Sequence, residues 1–510
     1  MVPLCFLVSS AALFYAAPSG VATKLLPPSR IARRPSITMG TVGPGASEQQ
    51  CTVALVKNIV GTGVLTLPAG IARLSDAGAS SYEAFGLATL LILAFGALNA
   101  WGFLLIGEAC AATQEASYVG AWRKTVGSGS WMPALASLLL CSTAAIACAT
   151  VIAETGTDLC AAFLGVPYSS ISTVAVLAGA AVTILTPLCL LPSLAPLGTA
   201  SYFGVGGVAL TAGAMAWRLL DGSYLPGGSL VDLSPVAPAF TAAAAAASEV
   251  ATAPALPSFS TGSSAFFICL LSNAYLAHYN APSVLSALIP LGEEAASAKD
   301  APTATPASQP SASQLSLTVS SSAAQRINAF FVEYIALPSA FTSLLNQQLR
   351  LLDLPTPPAT PVTITSGRLI DPVGLAPFRR VVVTSFVTSA LFFLVIAGTG
   401  FATFGDSSNA LILNSYASDD SLATLARVGV LACVLVEFPL LERPFRLTAV
   451  ELLGEPDFGA APWCAVLSVA TLTAIAGLGV ELDIISALGG STGGALLICT
   501  RSPPLDGPPS

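Results

Sequence analysis

The stretch Lys57-Asn58-Ile59-Val60-Gly61-Thr62-Gly63-Val64-Leu65-Thr66-Leu67-Pro68 lies inside an apolar segment of bilayer-crossing length. Gly61 and Gly63 weaken a helix at this point, and Pro68 removes a backbone donor and restricts the residue before it. In hydrocarbon a helix unwinds only where protein or a water-filled cavity satisfies the freed backbone. A break here aims free N–H groups and a positive dipole end at the middle of the membrane, where they can hold a carboxylate. The competing reading is packing alone, since Gly and Pro are common in spanning helices.

A second segment carries the same kind of signal. Ser272-Asn273-Ala274-Tyr275-Leu276-Ala277-His278-Tyr279-Asn280-Ala281-Pro282 puts an imidazole, two amides and a proline in one apolar run, and His278 is the only histidine in the chain. Polar groups at membrane depth are costly and usually line a pathway. Here too a plainer reading exists, a histidine hydrogen-bonded between helices and a proline that only kinks.

Composition fits a lipid solvent. The 510 residues are 54% hydrophobic and only 9% charged, with mean hydropathy +0.78, whereas a soluble protein carries about 25% charged residues. A net charge of −8 excludes a basic nucleic-acid surface. The eleven cysteines stand singly, with no CxxC, so neither a zinc site nor a disulfide framework is read from them, and no cofactor or metal is expected.

Ten apolar segments of spanning length follow one another: 52–71, 84–107, 133–153, 171–191, 198–219, 262–288, 381–401, 422–441, 462–480 and 484–500. The segment 327–345 is apolar too, but Glu333 and Pro338 interrupt it, so an interfacial or buried helix suits it better. The two interrupted segments are the first and the sixth, five apart, as in a five-plus-five inverted repeat. With the first helix starting inside, the inner loops hold Arg123, Lys124, Arg379, Arg380, Arg443 and Arg446. The outer loops hold Asp76, Asp221, Asp406, Asp419, Asp420, Glu481 and Asp483. This charge bias obeys the positive-inside rule along the chain.

Residues 1–50 differ from the rest. An apolar run over 2–17 precedes a stretch with Lys24, Arg30, Arg33 and Arg34 and no acid before Glu48. It reads as a secretory signal joined to a transit peptide, the two-part leader of proteins sent to plastids, or else as a disordered tail with an apolar start. Plastid envelope or another internal membrane is the corresponding location. Residues 221–260, rich in Ala, Pro and Ser, read as an outer spacer; 289–325 and 353–377, rich in Pro, Ser and Thr, read as unstructured inner insertions. The division is therefore 1–50 leader, 51–288 core helices one to six, 289–378 insertion, 379–500 core helices seven to ten, and 501–510 tail.

Five motifs carry a family resemblance. KNIVGTGVLTLPAG (57–70) resembles the first-helix signature of the amino acid/auxin permease family, and AHYNAP (277–282) its sixth-helix histidine motif. GTGFATFG (398–405), FPLLERPFR (438–446) and DIISALGGSTGGALLI (483–498) are similar to its seventh, eighth and tenth helices. The match is ordered over residues 50–290 and 378–500. It implies an all-α polytopic membrane protein of about ten transmembrane helices, with a LeuT-like five-plus-five inverted repeat and broken helices 1 and 6. It also implies coupled transport of small, mostly neutral amino acids by alternating access.

Carried over by position, the resemblance puts Gly61, Thr62 and Gly63 on the carboxylate and amino group of the substrate, with Ala277 and His278 facing them. Sodium-coupled members have a neutral residue where this chain has Lys57, and hydroxyl residues in the eighth helix around Leu435 and Glu437. The proton-coupled branch is similar to this chain in its lysine before Gly-Thr-Gly. The expectation is that the Lys57 ammonium takes the sodium position, with Glu437 as its partner or as proton carrier, so that H+ rather than Na+ drives transport. Otherwise Lys57 snorkels to the inner surface and Glu437 pairs with Arg443 or Arg446. The insertion 289–377 is longer than the family's loops, and the chain ends after the tenth span where the family has an eleventh.

Other classes fit less well. A sensor that keeps the transporter fold is the alternative function; the inner insertion could dock a partner, but nothing in it names one. Intramembrane catalysis needs a nucleophile–base pair or clustered metal ligands, and the sequence offers neither. A metal-ion carrier would want carboxylate and Met ligands in spans one and six, which are absent. The expected partners are a free amino acid and the lipid bilayer.

Overall fold

Ser47 starts the first helix by a reciprocal cap: its hydroxyl accepts from the Gln50 N–H, and the Gln50 side chain accepts from the Ser47 N–H. The computed structural model describes residues 46–75, 81–115, 117–125, 131–191, 195–238, 261–288, 375–453 and 461–494. The leader, the 289–374 insertion with its 327–345 segment, and the 501–510 tail lie outside the described residues, apart from 46–50.

Among the described residues all regular structure is helical, with no strand. In chain order, α1 (Glu48–Ile59) leads through a 3₁₀ turn (Thr62–Thr66) to α2 (Leu67–Ser75). There follow α3 (Ser81–Thr113), α4 (Tyr118–Thr125), α5 (Trp131–Leu164), α6 (Thr173–Cys189, with a π turn at Ala181–Leu185) and α7 (Ala195–Leu220). Next, α8 (Thr261–Ala274) leads through a short turn (His278–Asn280) to α9 (Ala281–Leu288). The last four are α10 (Ala376–Phe404), α11 (Ser421–Leu452), α12 (Pro462–Ala476) and α13 (Leu482–Gly489), the last running into a π turn at Gly490–Gly494.

Five described helices are long and apolar enough to cross a membrane, six if the bent pair α1–α2 is one span. They correspond to the expected spans at 52–71, 84–107, 133–153, 198–219, 381–401 and 422–441. The other four expected spans, at 171–191, 262–288, 462–480 and 484–500, form the shorter apolar helices α6, α8 with α9, α12 and α13. The break at Tyr275–Ala277 interrupts the 262–288 segment, and the 484–500 segment is described only as far as residue 494. Large apolar side chains such as Phe163, Phe203, Trp217, Leu391 and Leu467 stand exposed on the outside, the surface a lipid-facing protein presents. The chain is thus a helical, multi-pass integral membrane protein.

Ion pairs join residues that the charge bias puts on the same side. Glu48–Arg380 and Glu108–Arg379 tie helix ends assigned to the inside. Arg73–Asp483 and Arg218–Asp420 tie ends assigned to the outside.

Two boundaries differ from expectation for a physical reason. The third span runs on past Ala153 to Leu164 because its next charges have partners: Asn414 donates to Glu154 at 2.7 Å, and Arg427 lies 3.4 Å from Asp158. Residues 221–238 are not a mere spacer. Tyr224 is buried, donates to Asp420 and packs edge-on against Phe404 and Tyr416, while Ser234 donates to the Ser415 carbonyl. That segment packs onto the loop between α10 and α11.

α11 lies along α5 and α7, and α8 packs on α2, α13 and the Gly490–Gly494 turn, while α1 packs on α10. Glycine allows the closest of these contacts. A Cβ on Gly70 would stand 2.7 Å from both Leu270 and Phe267, and one on Gly400 would stand 2.7 Å from Pro68. The first of these contacts holds the two interrupted segments side by side, and the second seats α2 on α10.

Candidate functional site

The α1 helix stops at Ile59 because the backbone turns out of helical geometry: Val60 has ψ 72°, and Gly61 has φ −105° and ψ −148°. The chain resumes as a 3₁₀ turn whose axis with α2 is bent 42° from α1. The first N–H groups of such a turn have no acceptor within it. The sixth segment breaks at Tyr275–Ala277, with Ala277 at φ −128° and ψ 5°. Of its last α8 carbonyls, those of Leu271 and Asn273 accept from the Tyr275 and Leu276 N–H groups as the helix unwinds.

The two breaks meet. A Cβ on Gly63 would stand 3.0 Å from the Ala274 Cα and 3.2 Å from its Cβ. Around this contact lies a cavity of about 30 Å³, room for roughly two or three waters. Gly61, Thr62 and Gly63 line it from the first break, and Asn273, Ala274, Leu276 and Tyr279 from the sixth segment. Leu140 and Ala144 of α5, with Glu437 and Leu441 of α11, close the other side.

Beside the cavity Lys57 is buried, 1% exposed, with its Nζ 3.2 Å from Glu437 Oε2. It does not snorkel. Gly204 of α7 makes the space: a Cβ there would stand 3.1 Å from Lys57 Cγ and 3.2 Å from Cε. Glu437 does not pair with Arg443 or Arg446; Arg446 donates instead to Glu442 one turn further on. The other Glu437 oxygen, Oε1, rests on Gly61, where any Cβ would collide with it. A side chain at 61 would have to displace the Glu437 carboxylate.

Of the residues assigned from sequence, Gly61, Thr62, Gly63 and Glu437 line the cavity, and Lys57 reaches it through Glu437. Ala277 and His278 are buried but are not among the lining residues. His278 turns toward α3, where its Nε2 lies 2.9 Å from the position of a Gly102 Cβ and its ring stands 6.1 Å from Phe103. Their neighbours take the lining positions instead. Tyr279 donates to Asn58 Oδ1 at 2.9 Å and joins the two interrupted segments across the cavity wall.

Asn58, Asn273 and Tyr279 were legible as polar groups at membrane depth within the two quoted stretches. Leu140, Ala144 and Leu441 gave no signal, being apolar residues in apolar spans.

The site brings the first N–H groups of the 3₁₀ turn and one carboxylate, Glu437, to a cavity lined by both interrupted segments. A search of curated proteins finds no match to the chain. Residues 367–500, which include α10 to α13, match the family model of the transmembrane amino acid transporter proteins.

Proposed function

We propose that the chain is a secondary active transporter that moves small, mostly neutral amino acids across a membrane by alternating access, driven by protons. One observation carries the reading: two interrupted helices meet at Gly63 and Ala274 and leave a cavity lined by both breaks. Such broken helices at mid-membrane are how transporters bind charged solutes without exposing backbone to lipid. The breaks fall in the first and sixth segments, which supports a LeuT-like five-plus-five repeat. The family match supports an amino acid as the solute.

The Lys57–Glu437 pair supports proton rather than sodium coupling. An ammonium buried at this depth fills the space and charge of a bound cation, and its carboxylate partner can take up and release a proton.

Uptake of labelled amino acids into proteoliposomes, under an imposed proton or sodium gradient, tests the proposal. Saturable uptake driven by an inward proton gradient is the expected result. Strict sodium dependence removes the coupling assignment, and no saturable uptake of any amino acid removes the transporter.

A further inference from the structure

Among the residues lining the cavity, Glu437 alone is charged. Its surroundings do not use its full capacity. An ionised carboxylate offers about four lone-pair positions, and a buried one is stable only when most are satisfied. Oε2 has the Lys57 ammonium at 3.2 Å but no aligned hydrogen bond, and Oε1 lies against the Gly61 backbone. Glu437 is 8% exposed and faces the cavity. The other polar lining side chains, Asn58, Thr62, Asn273 and Tyr279, are neutral.

A zwitterion entering this space therefore meets a single anion. We propose that Glu437 binds the α-ammonium of the substrate directly, sharing its carboxylate between that ammonium and Lys57. The inference rests on the transporter reading above and adds a specificity rule to it. The site selects for a free α-amine cation, and the substrate carboxylate contributes less because only backbone N–H groups receive it. Amino acids capped at the carboxylate still bind; acids that lack the amine do not. The alternative role, Glu437 as a mere counter-ion for Lys57, predicts that any such preference survives removal of both charges.

The test uses the full chain in proteoliposomes, with labelled L-alanine, L-serine and L-glutamine as probes. The probe taken up best is competed by its carboxamide and by its 2-hydroxy acid analogue. In the wild type the carboxamide competes more strongly than the hydroxy acid by about ten-fold or more, the worth of one charge-assisted hydrogen bond. Equal competition overturns the proposal. The double variant Lys57→Met/Glu437→Gln removes both charges without leaving one unpaired. In it, affinity for the probe falls by about ten-fold or more and the preference for the carboxamide disappears. Wild-type affinity and preference in the double variant also overturn the proposal, because they are what a mere counter-ion predicts. If the double variant does not fold, equal competition in the wild type still overturns the proposal. No uptake of any probe by the wild type is a different failure, that of the transporter reading itself.

Discussion

Gly63 and Ala274 approach so closely that a methyl group on Gly63 would stand 3.0 Å from the Ala274 Cα. The obstacle is backbone, which does not rotate away as a side-chain tip would. Gly63→Val is therefore expected to push the two breaks apart and to lower uptake by about ten-fold or more, with a stability loss of about 1–3 kcal/mol. Gly63→Ala, needing a shift of only a few tenths of an ångström, retains more of both. Uptake and thermal unfolding of the two variants check the order wild type, Ala, Val.

Lys57 and Glu437 stabilise each other only as a pair. Removing one partner of a buried ion pair leaves the other uncompensated and costs about 3–5 kcal/mol, whereas replacing both with neutral groups of similar shape is often nearly neutral. Lys57→Met and Glu437→Gln are each expected to lower thermal stability clearly, and the double variant to recover most of it. Unfolding curves of the three variants in detergent check this. A loss in the double variant equal to the sum of the two single losses would show that the pair does not couple. Stability recovers in the double variant while substrate affinity does not, so the two readouts separate folding from recognition.

Where the helices break was legible in residue types: Gly61 and Gly63 in one segment, and His278, Asn280 and Pro282 in the other. Which way the side chains point after a break was not. Helical periodicity assigns faces only while the helix continues, and Ala277, at φ −128° and ψ 5°, ends that continuity. His278 consequently faces α3, and Tyr279 takes the cavity wall. Helix ends were hidden for a related reason. Glu154 and Asp158 read as the polar end of a span because their partners, Asn414 and Arg427, lie some 260 residues away in sequence. The pairing of Lys57 with Glu437 came from motif resemblance; no local pattern links the two.

Arg427 is the clasp of the loop between α10 and α11. Its guanidinium donates to the carbonyls of Leu413 at 2.9 Å, Tyr416 at 2.8 Å and Ala417 at 3.4 Å, and lies 3.4 Å from Asp158. Arg427→Met is expected to leave these buried acceptors unsatisfied and to lower stability by about 3 kcal/mol. Arg427→Lys keeps the charge but loses the planar fork, so it rescues only part of the loss. Thermal unfolding, together with protease accessibility of residues 405–420, checks both: full rescue by lysine would mean that charge alone matters.

The crossing of α7 and α11 depends on Gly207 more than on Gly429. A Cβ on Gly207 would meet the Gly429 carbonyl oxygen and stand 2.8 Å from its carbon, whereas one on Gly429 would find Gly207 atoms no nearer than 3.1 Å. Gly206, one residue earlier, has nothing within 4 Å of the same position. Alanine in a helix interior is favoured over glycine by about 1 kcal/mol, so Gly206→Ala is expected to be neutral or slightly stabilising. Gly207→Ala has the same propensity gain but drives a methyl group into a neighbouring backbone, and a net loss of about 1–3 kcal/mol is expected. Gly429→Ala falls between them. Melting temperatures of the three variants give the order directly, and a Gly207→Ala protein as stable as Gly206→Ala would mean that the two helices do not cross where these glycines stand.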